Sequence, residues 1–249
     1  MTDLFESDSK VPKDEISQTN TPLAEKLRPK SLNEVVGQDR LLAADGQLAL
    51  MVKSSQLVSI IFWGPPGVGK TTIARAIANE VSAHYEEISA IFSGVSDLKK
   101  LLNAASVRYS NGARTILFVD EIHRFNKSQQ DSFLPYMENG SIILIGATTE
   151  NPSFELNSAL LSRSQVLILE RLNAEDLLKI FNRAIGSMKN APMFSENAIS
   201  FIIEMSDGDG RSLLNYIEQV ASWNSNNRVT EQDLETRLSR RATSYDKKG

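Results

Sequence analysis

There is no cysteine among the 249 residues. Disulfides, thiolate zinc sites and cysteine nucleophiles are therefore excluded, and the composition suits a reducing compartment. Histidine is almost as scarce. His84 and His123 are the only two, too few for an imidazole ligand cluster. No apolar run approaches the ~20 residues that a membrane span needs. The opening Met-Thr-Asp-Leu-Phe-Glu-Ser-Asp has neither a basic start nor an apolar core, so it spells no secretory signal, and it is too acidic for a transit peptide. Positive charge is not in excess either. A net charge of −4 argues against a broad nucleic-acid-binding surface and leaves room for a local one. The expectation is a cytoplasmic protein with no membrane partner.

What is present is concentrated between residues 58 and 72: Val-Ser-Ile-Ile-Phe-Trp-Gly-Pro-Pro-Gly-Val-Gly-Lys-Thr-Thr. An apolar run enters a glycine-rich loop, and a helical pattern (Ile73, Ala74, Ala76, Ile77) leaves it. This is G-x-x-x-x-G-K-[ST] in the strand–loop–helix context it requires. Triphosphate oxygens need many donors in a small concave space. Glycines let the backbone N–H groups turn inward, and the following helix aims its positive end at the phosphates. Gly64, Pro65, Pro66, Gly67, Val68, Gly69, Lys70, Thr71 and Thr72 are thus candidates to bind ATP or ADP. Lys70 would reach the β- and γ-phosphates, and the Thr71 hydroxyl would hold Mg²⁺.

The length fits one large domain or two modest ones. Residues 1–21 read as a disordered acidic tail, with five Asp/Glu against two Lys in the first twenty and Leu4-Phe5 as the one sticky spot. From Pro22, a short helical turn between Pro29 and Gly37 and an amphipathic helix over 41–53 are expected. Strands at 58–63, 84–89, 115–119, 141–147 and 166–169 then alternate with helices at 71–82, 97–109 (capped by Ser96), 127–138 and 157–161. Such alternation predicts an α/β domain, residues 22–171, built on a parallel five-stranded sheet flanked by helices. After Arg171 the strands stop. Helices at 174–187, 196–205, 212–224 and 231–239, with Ser195 and Thr230 as caps, predict a small all-helical lid over 172–241 and a polar tail over 242–249.

Further candidates follow the buried strands. Asp120 would hold Mg²⁺, and Glu121 would orient and deprotonate an attacking water. Thr148 or Thr149 ends the next strand, where a hydroxyl touches the γ-phosphate or simply serves β-propensity. Arg163, with no evident helical partner, reads as an arginine finger for a neighbouring subunit or as a surface arginine. Arg211 opens a lid helix and can reach back to the γ-phosphate. His123-Arg124-Phe125-Asn126-Lys127 is either a nucleic-acid backbone contact or a polar loop, with His123 a polar contact rather than a metal ligand.

Together these residues resemble an AAA+ P-loop ATPase. Arg28-Pro29 with Val35-Val36-Gly37-Gln38 resembles the adenine-side entry motif. Gly64–Thr72 and Ile116–Glu121 resemble the Walker A and B motifs, Thr149 sensor 1, Arg163 the arginine finger and Arg211 sensor 2. Residues 120–127 and 145–157 are similar, more narrowly, to the replication-associated recombination protein A family, over about residues 22–245. That resemblance implies a clamp-loader-related, DNA-stimulated ATP hydrolase at stalled, gapped or forked DNA, nucleoid-associated, with single-stranded DNA-binding protein and replisome components as partners. It also implies a helical region beyond Gly249 that drives tetramer formation, so the homo-oligomer is expected only with that region. Two related readings have less support. Clamp-loader motor subunits carry a four-cysteine module between the Walker motifs, which is absent here. The branch-migration motor of Holliday junctions shares Ile-Gly-Ala-Thr-Thr but is expected to carry a winged-helix domain after its lid. A nucleotide-dependent adaptor is the alternative from another class.

Overall fold

The structure is a computed structural model that describes residues 21–54, 56–92, 94–223 and 227–245, with side chains given up to residue 238. The acidic segment 1–20, including Leu4-Phe5, lies outside the described residues, as do residues 246–249.

Five strands form one parallel sheet: β1 (Ser59–Trp63), β2 (His84–Ser89), β3 (Thr115–Asp120), β4 (Ile142–Thr148) and β5 (Ser164–Ile168), in the order β2-β3-β4-β1-β5. The central strands are apolar throughout because helices cover both faces. Alternation sorts their side chains. Ile60, Phe62, Ile116, Phe118 and Ile145 face one side with Ile73 and Ile77 of helix α1 (Lys70–Glu80). Ile61, Leu117, Val119 and Leu144 face the other with Leu98 and Leu102 of helix α2 (Val95–Ser110).

Among the described residues, four helices follow the sheet: α3 (Ala174–Ser187), α4 (Glu196–Met205), α5 (Gly210–Ala221) and α6 (Glu231–Tyr245). They enclose a separate core that includes Phe181, Ala198, Ile202, Leu213, Ile217 and Leu234. Their starts are chemically marked. Asn173, Ser195 and Asp209 each accept a backbone N–H of the first turn, while Thr230 and Asp233 bond one another reciprocally. Leu23, which precedes the sheet in sequence, is buried in this helical core, and its N–H donates to Glu218 (3.0 Å).

Several expected elements differ. The helix expected over 41–53 is two, Asp39–Leu42 and Gln47–Lys53. The chain turns between them at Gly46, where a Cβ would lie 2.5 Å from the Leu41 carbonyl oxygen. The helix expected over 127–138 also divides, into Lys127–Asp131 and Leu134–Glu138. Pro135 has no N–H to give to Asp131, so the ladder breaks there. Ser96 is not the cap of α2. The helix starts at Val95, and the Asp97 carboxylate accepts the N–H of Gly94 (3.3 Å). The last helix runs to Tyr245, past the residue 242 at which a polar tail was expected to begin.

Candidate nucleotide-binding site

Three neighbouring strands, β3, β4 and β1, end on the same edge of the sheet because all run parallel. The loop after β1 carries Gly64–Gly69, β3 ends at Asp120, and β4 ends at Thr148. Ligands of open α/β sheets collect at such C-terminal edges. The pocket found there is lined by Pro66, Gly67, Val68, Gly69, Lys70, Thr71, Thr72, Asp120, Glu121 and Thr149. Arg28, Pro29 and Val36 close it on one side, and Arg211 closes it from the helical region.

Gly67 (φ 70°) and Gly69 (φ 102°) have the left-handed backbone that lets the loop curl around a space rather than cross it. Gly64 and Pro65 are not in the lining. Their carbonyl oxygens instead accept hydrogen bonds from the Lys70 ammonium, at 2.6 and 2.8 Å. Burial pushes the Lys70 pKa down, while the nearby Glu121 and Asp120 carboxylates pull it back up. A desolvated cation tethered by two carbonyls is a good receptor for a phosphate oxygen, which restores the solvation that burial removed. Helix α5 touches this loop directly: the Gly210 N–H donates to the Gly67 carbonyl (3.2 Å). A Cβ on Gly67 would fall 1.7 Å from Asp209 Oδ1, so only glycine permits the contact.

The donor set fits a magnesium–triphosphate. One hydroxyl (Thr71) and one carboxylate (Asp120) are hard oxygen ligands, and Mg²⁺ takes few protein ligands when phosphates and water supply the rest. Among the described residues no group of three or more His, Asp or Glu gathers as an all-protein metal site.

Of the two threonines after β4, Thr149 lines the pocket and Thr148 does not. The Thr148 side chain is fully buried, 2.8 Å from His123 Nδ1, and its oxygen accepts the Glu150 N–H (3.0 Å). Arg163, for which no helical partner was evident, has one far along the chain: it pairs with Glu138 at 2.6 Å and donates to the Ala159 carbonyl at 3.0 Å. It also stands far from its own pocket. Ser164 pairs with Ser59 at the start of β1 and Ile168 with Trp63 at its end, so Arg163 is at the opposite edge of the sheet from the phosphate loop. Five residues of strand separate the two edges, roughly 17 Å. In the basic stretch after Glu121, Phe125 is buried against Phe133 (5.9 Å between centroids), while Arg124 and Lys127 are exposed. No exposed aromatic therefore sits between those cations.

The pocket also has walls that motif reading did not select: Leu172, Ile180, Arg183 and Leu214 from the helical region, and Ala24 and Leu27 before the sheet. Ile180 and Leu214 repeat at helical spacing, like the core residues around them. Only docking of the helices above the loop separates wall from core.

Arg28 is held in place by Glu25, which also accepts from Arg75 Nη1 (3.0 Å), and Arg28 Nη1 donates to Thr72 (3.3 Å). Hydrogen bonding to Arg28 leads the causes that lower the Glu25 pKa below 4.5. A depressed carboxylate stabilises the fold above its unfolded pKa and loses that contribution as pH falls through the folded value. Wild-type protein is therefore expected to melt higher than Glu25→Gln at neutral pH, with the gap closing below about pH 4. Melting curves of the two from pH 7 to pH 3 check this. A gap that widens on acidification would contradict it.

The phosphate loop, the acidic pair ending β3 and a helical cap over the nucleotide edge define a protein of the AAA+ ATPase class. The profile of the ATPase family associated with various cellular activities (AAA) matches residues 60–172, and that of the AAA C-terminal domain matches residues 188–249. The chain belongs, within that class, to the replication-associated recombination protein A family. It is 44% identical to the Escherichia coli K12 protein of that name over 93% of this chain and 54% of that protein. It is 48% identical to the Coxiella burnetii protein over 81% of this chain and 47% of that protein. The chain thus spans about half the length of the curated relatives it matches. Among solved structures, a point mutant of RuvB from Thermotoga maritima superposes with TM-score 0.70 at 26% identity, covering 85% of this chain and 72% of that one. Among the described residues no helix is long and apolar enough to cross a membrane.

Proposed function

We propose that the chain is the motor part of a DNA-stimulated ATP hydrolase that acts in replication-fork maintenance and recombination. The observation that carries this is convergence. Lys70, the adjacent Asp120 and Glu121, Thr149 and Arg211 come from four separate segments and line one pocket beside a glycine loop. Each has a distinct task. Lys70 exchanges its two carbonyl partners for β- and γ-phosphate oxygens. Thr71 and Asp120 would hold Mg²⁺, which when bound offsets the charge that builds on the transferring phosphoryl group. Glu121 accepts the proton of the attacking water. Thr149 orients that water or the γ-phosphate. Arg211, on the first turn of α5, reports whether the γ-phosphate is present and moves the lid with it. Arg28, Pro29 and Val36 flank the base.

The DNA part of the reading draws on the names of the relatives and on the likeness to RuvB, described in one solved structure from Thermotoga maritima as a Holliday junction branch migration motor. Single-stranded DNA-binding protein and other replisome components are the partners it implies, in a nucleoid-associated homo-oligomer. The test is steady-state ATP hydrolysis by this chain, and by a chain extended to the relatives' length, alone and with single-stranded, blunt duplex, gapped and forked DNA. The expected result is turnover that rises with particular DNA structures. A rate indifferent to every DNA, in both chains, would overturn the DNA-stimulated reading and leave a nucleotide-dependent adaptor.

A further inference from the structure

His123 is not in the pocket lining, yet it stands against Glu121, which is. Its ring spans two elements. Nε2 lies 3.3 Å from Glu121 Oε2, and Nδ1 lies 2.8 Å from the Thr148 hydroxyl. The His123 side chain is only 7% exposed. The hydrogen bonds also run in one direction. The Glu150 N–H donates to Thr148 Oγ1 (3.0 Å). The hydroxyl has two acceptors in reach, Nδ1 at 2.8 Å and the Glu150 carbonyl at 3.2 Å, and the ring nitrogen is the nearer. With the hydroxyl donating to Nδ1, the neutral ring has its N–H on Nε2, facing the Glu121 carboxylate. Thr148 Oγ1 and His123 Nδ1 are thus satisfied, and Nε2 stands close to the carboxylate without a closed hydrogen bond. A Nε2–Oε2 distance of 3.3 Å is longer than a closed charge-assisted bond, as catalytic contacts often are before substrate arrives.

The backbone gives the ring its purchase. Glu121 has φ 53°, and residues 122–124 form a single 3-10 turn that brings His123 back beneath it. At the other end, Thr148 closes β4 one residue before Thr149 enters the pocket. We propose that His123 is a positioning residue that couples the Glu121 carboxylate to the end of β4, so that the water-activating group and the γ-phosphate-facing Thr149 move as one unit. This rests on the reading of Glu121 as the base. Its content beyond that reading is the link: movement of the β4–β5 connection is transmitted to the carboxylate through the imidazole and the buried Thr148 hydroxyl.

The test uses His123→Phe, which retains ring bulk and removes both nitrogens, and His123→Gln, which retains a donor. ATP affinity and KM are expected to stay within about twofold in both. The kcat of His123→Phe should fall about 10–100-fold, the loss of one hydrogen bond to a charged group, and His123→Gln should recover most of it. Thr148→Val should lower kcat in the same direction without touching the pocket. In a Glu121→Gln background, single-turnover rates should show no further loss from His123→Phe, because the carboxylate it positions is gone. A normal kcat in His123→Phe would overturn the proposal, as would an equal loss with and without the Glu121 carboxylate. If His123→Phe fails to fold, Thr148→Val and His123→Gln decide: normal kcat in Thr148→Val overturns the link. Should Glu121→Gln itself turn over normally, the reading of the base fails, which is a separate and distinguishable outcome.

Discussion

Glu121→Gln is expected to bind ATP as tightly as the wild type and to hydrolyse it roughly 10²–10⁴-fold more slowly, the range that a positioned general base contributes. At about 1.36 kcal/mol per decade this is a loss of roughly 2.7–5.5 kcal/mol of transition-state stabilisation. The substitution is nearly isosteric, so the pocket keeps its shape. It also keeps the backbone. Glu121 adopts a left-handed conformation, which costs a non-glycine residue about 1–3 kcal/mol and persists only where the surroundings fix it. Here the fixing is done by main-chain atoms: the Arg124 N–H donates to the Glu121 carbonyl (2.8 Å). A glutamine side chain changes none of that. Asp120, which would hold the metal, is unchanged, so affinity and turnover should separate. Equilibrium binding of a fluorescent ATP analogue, set beside phosphate release, measures both. Unchanged turnover would remove Glu121 from the mechanism. A parallel loss of affinity would mean that the carboxylate holds the metal instead.

Arg163→Ala is expected to leave nucleotide binding by the isolated chain untouched and to lower turnover by roughly 10³-fold or more in an assembly, the scale at which arginine fingers act. The geometry supports this separation. Arg163 stands at the edge of the sheet where the strands begin, and the phosphate loop stands at the edge where they end. No rotamer spans that distance, so any action on a γ-phosphate must be on a second molecule's. The guanidinium is about 40% exposed and its carboxylate partner Glu138 is 53% exposed, so the pair is weakly held and can be exchanged for a phosphate oxygen. The decisive measurement mixes two inactive proteins of full relative length. Lys70→Ala retains its arginine and loses its own phosphate site; Arg163→Ala does the reverse. Recovery of activity on mixing is the expected result. Failure to recover, with mixed assemblies shown to form, would contradict action across subunits.

Much of the phosphate site was legible in the residues themselves. The stretch from Ser59 to Thr72 and the pair Asp120-Glu121 are local devices. A strand, a glycine loop and a helix start are specified by neighbours in sequence, and each device carries its donors or carboxylates within itself. The parallel sheet was legible for a similar reason, since strands such as 115–120 and 142–148 are apolar along their length only when both faces are covered. Helix interruptions were harder to see. Pro135 and Gly46 sit inside runs whose apolar spacing continues past them, so periodicity alone joined what the backbone divides.

The sequence by itself determined the glycine loop, the lysine and threonine that follow it and the carboxylates at the end of the third strand, because those groups depend on short-range spacing. Tertiary structure alone decided which side chains share a space. Thr148 and Thr149 are adjacent, and only the point at which β4 ends turns one into the core and the other into the pocket. Phe125 was spelled like an exposed aromatic among cations and is buried. Arg163 is set at the opposite edge of the sheet by the parallel direction of β5. Ile180 and Leu214 became pocket walls through the docking of the helices, and His123 met Glu121 and Thr148 because a single 3-10 turn folds it back across the end of the neighbouring strand. Each of these depends on how elements pack against one another, and no local pattern records where elements meet.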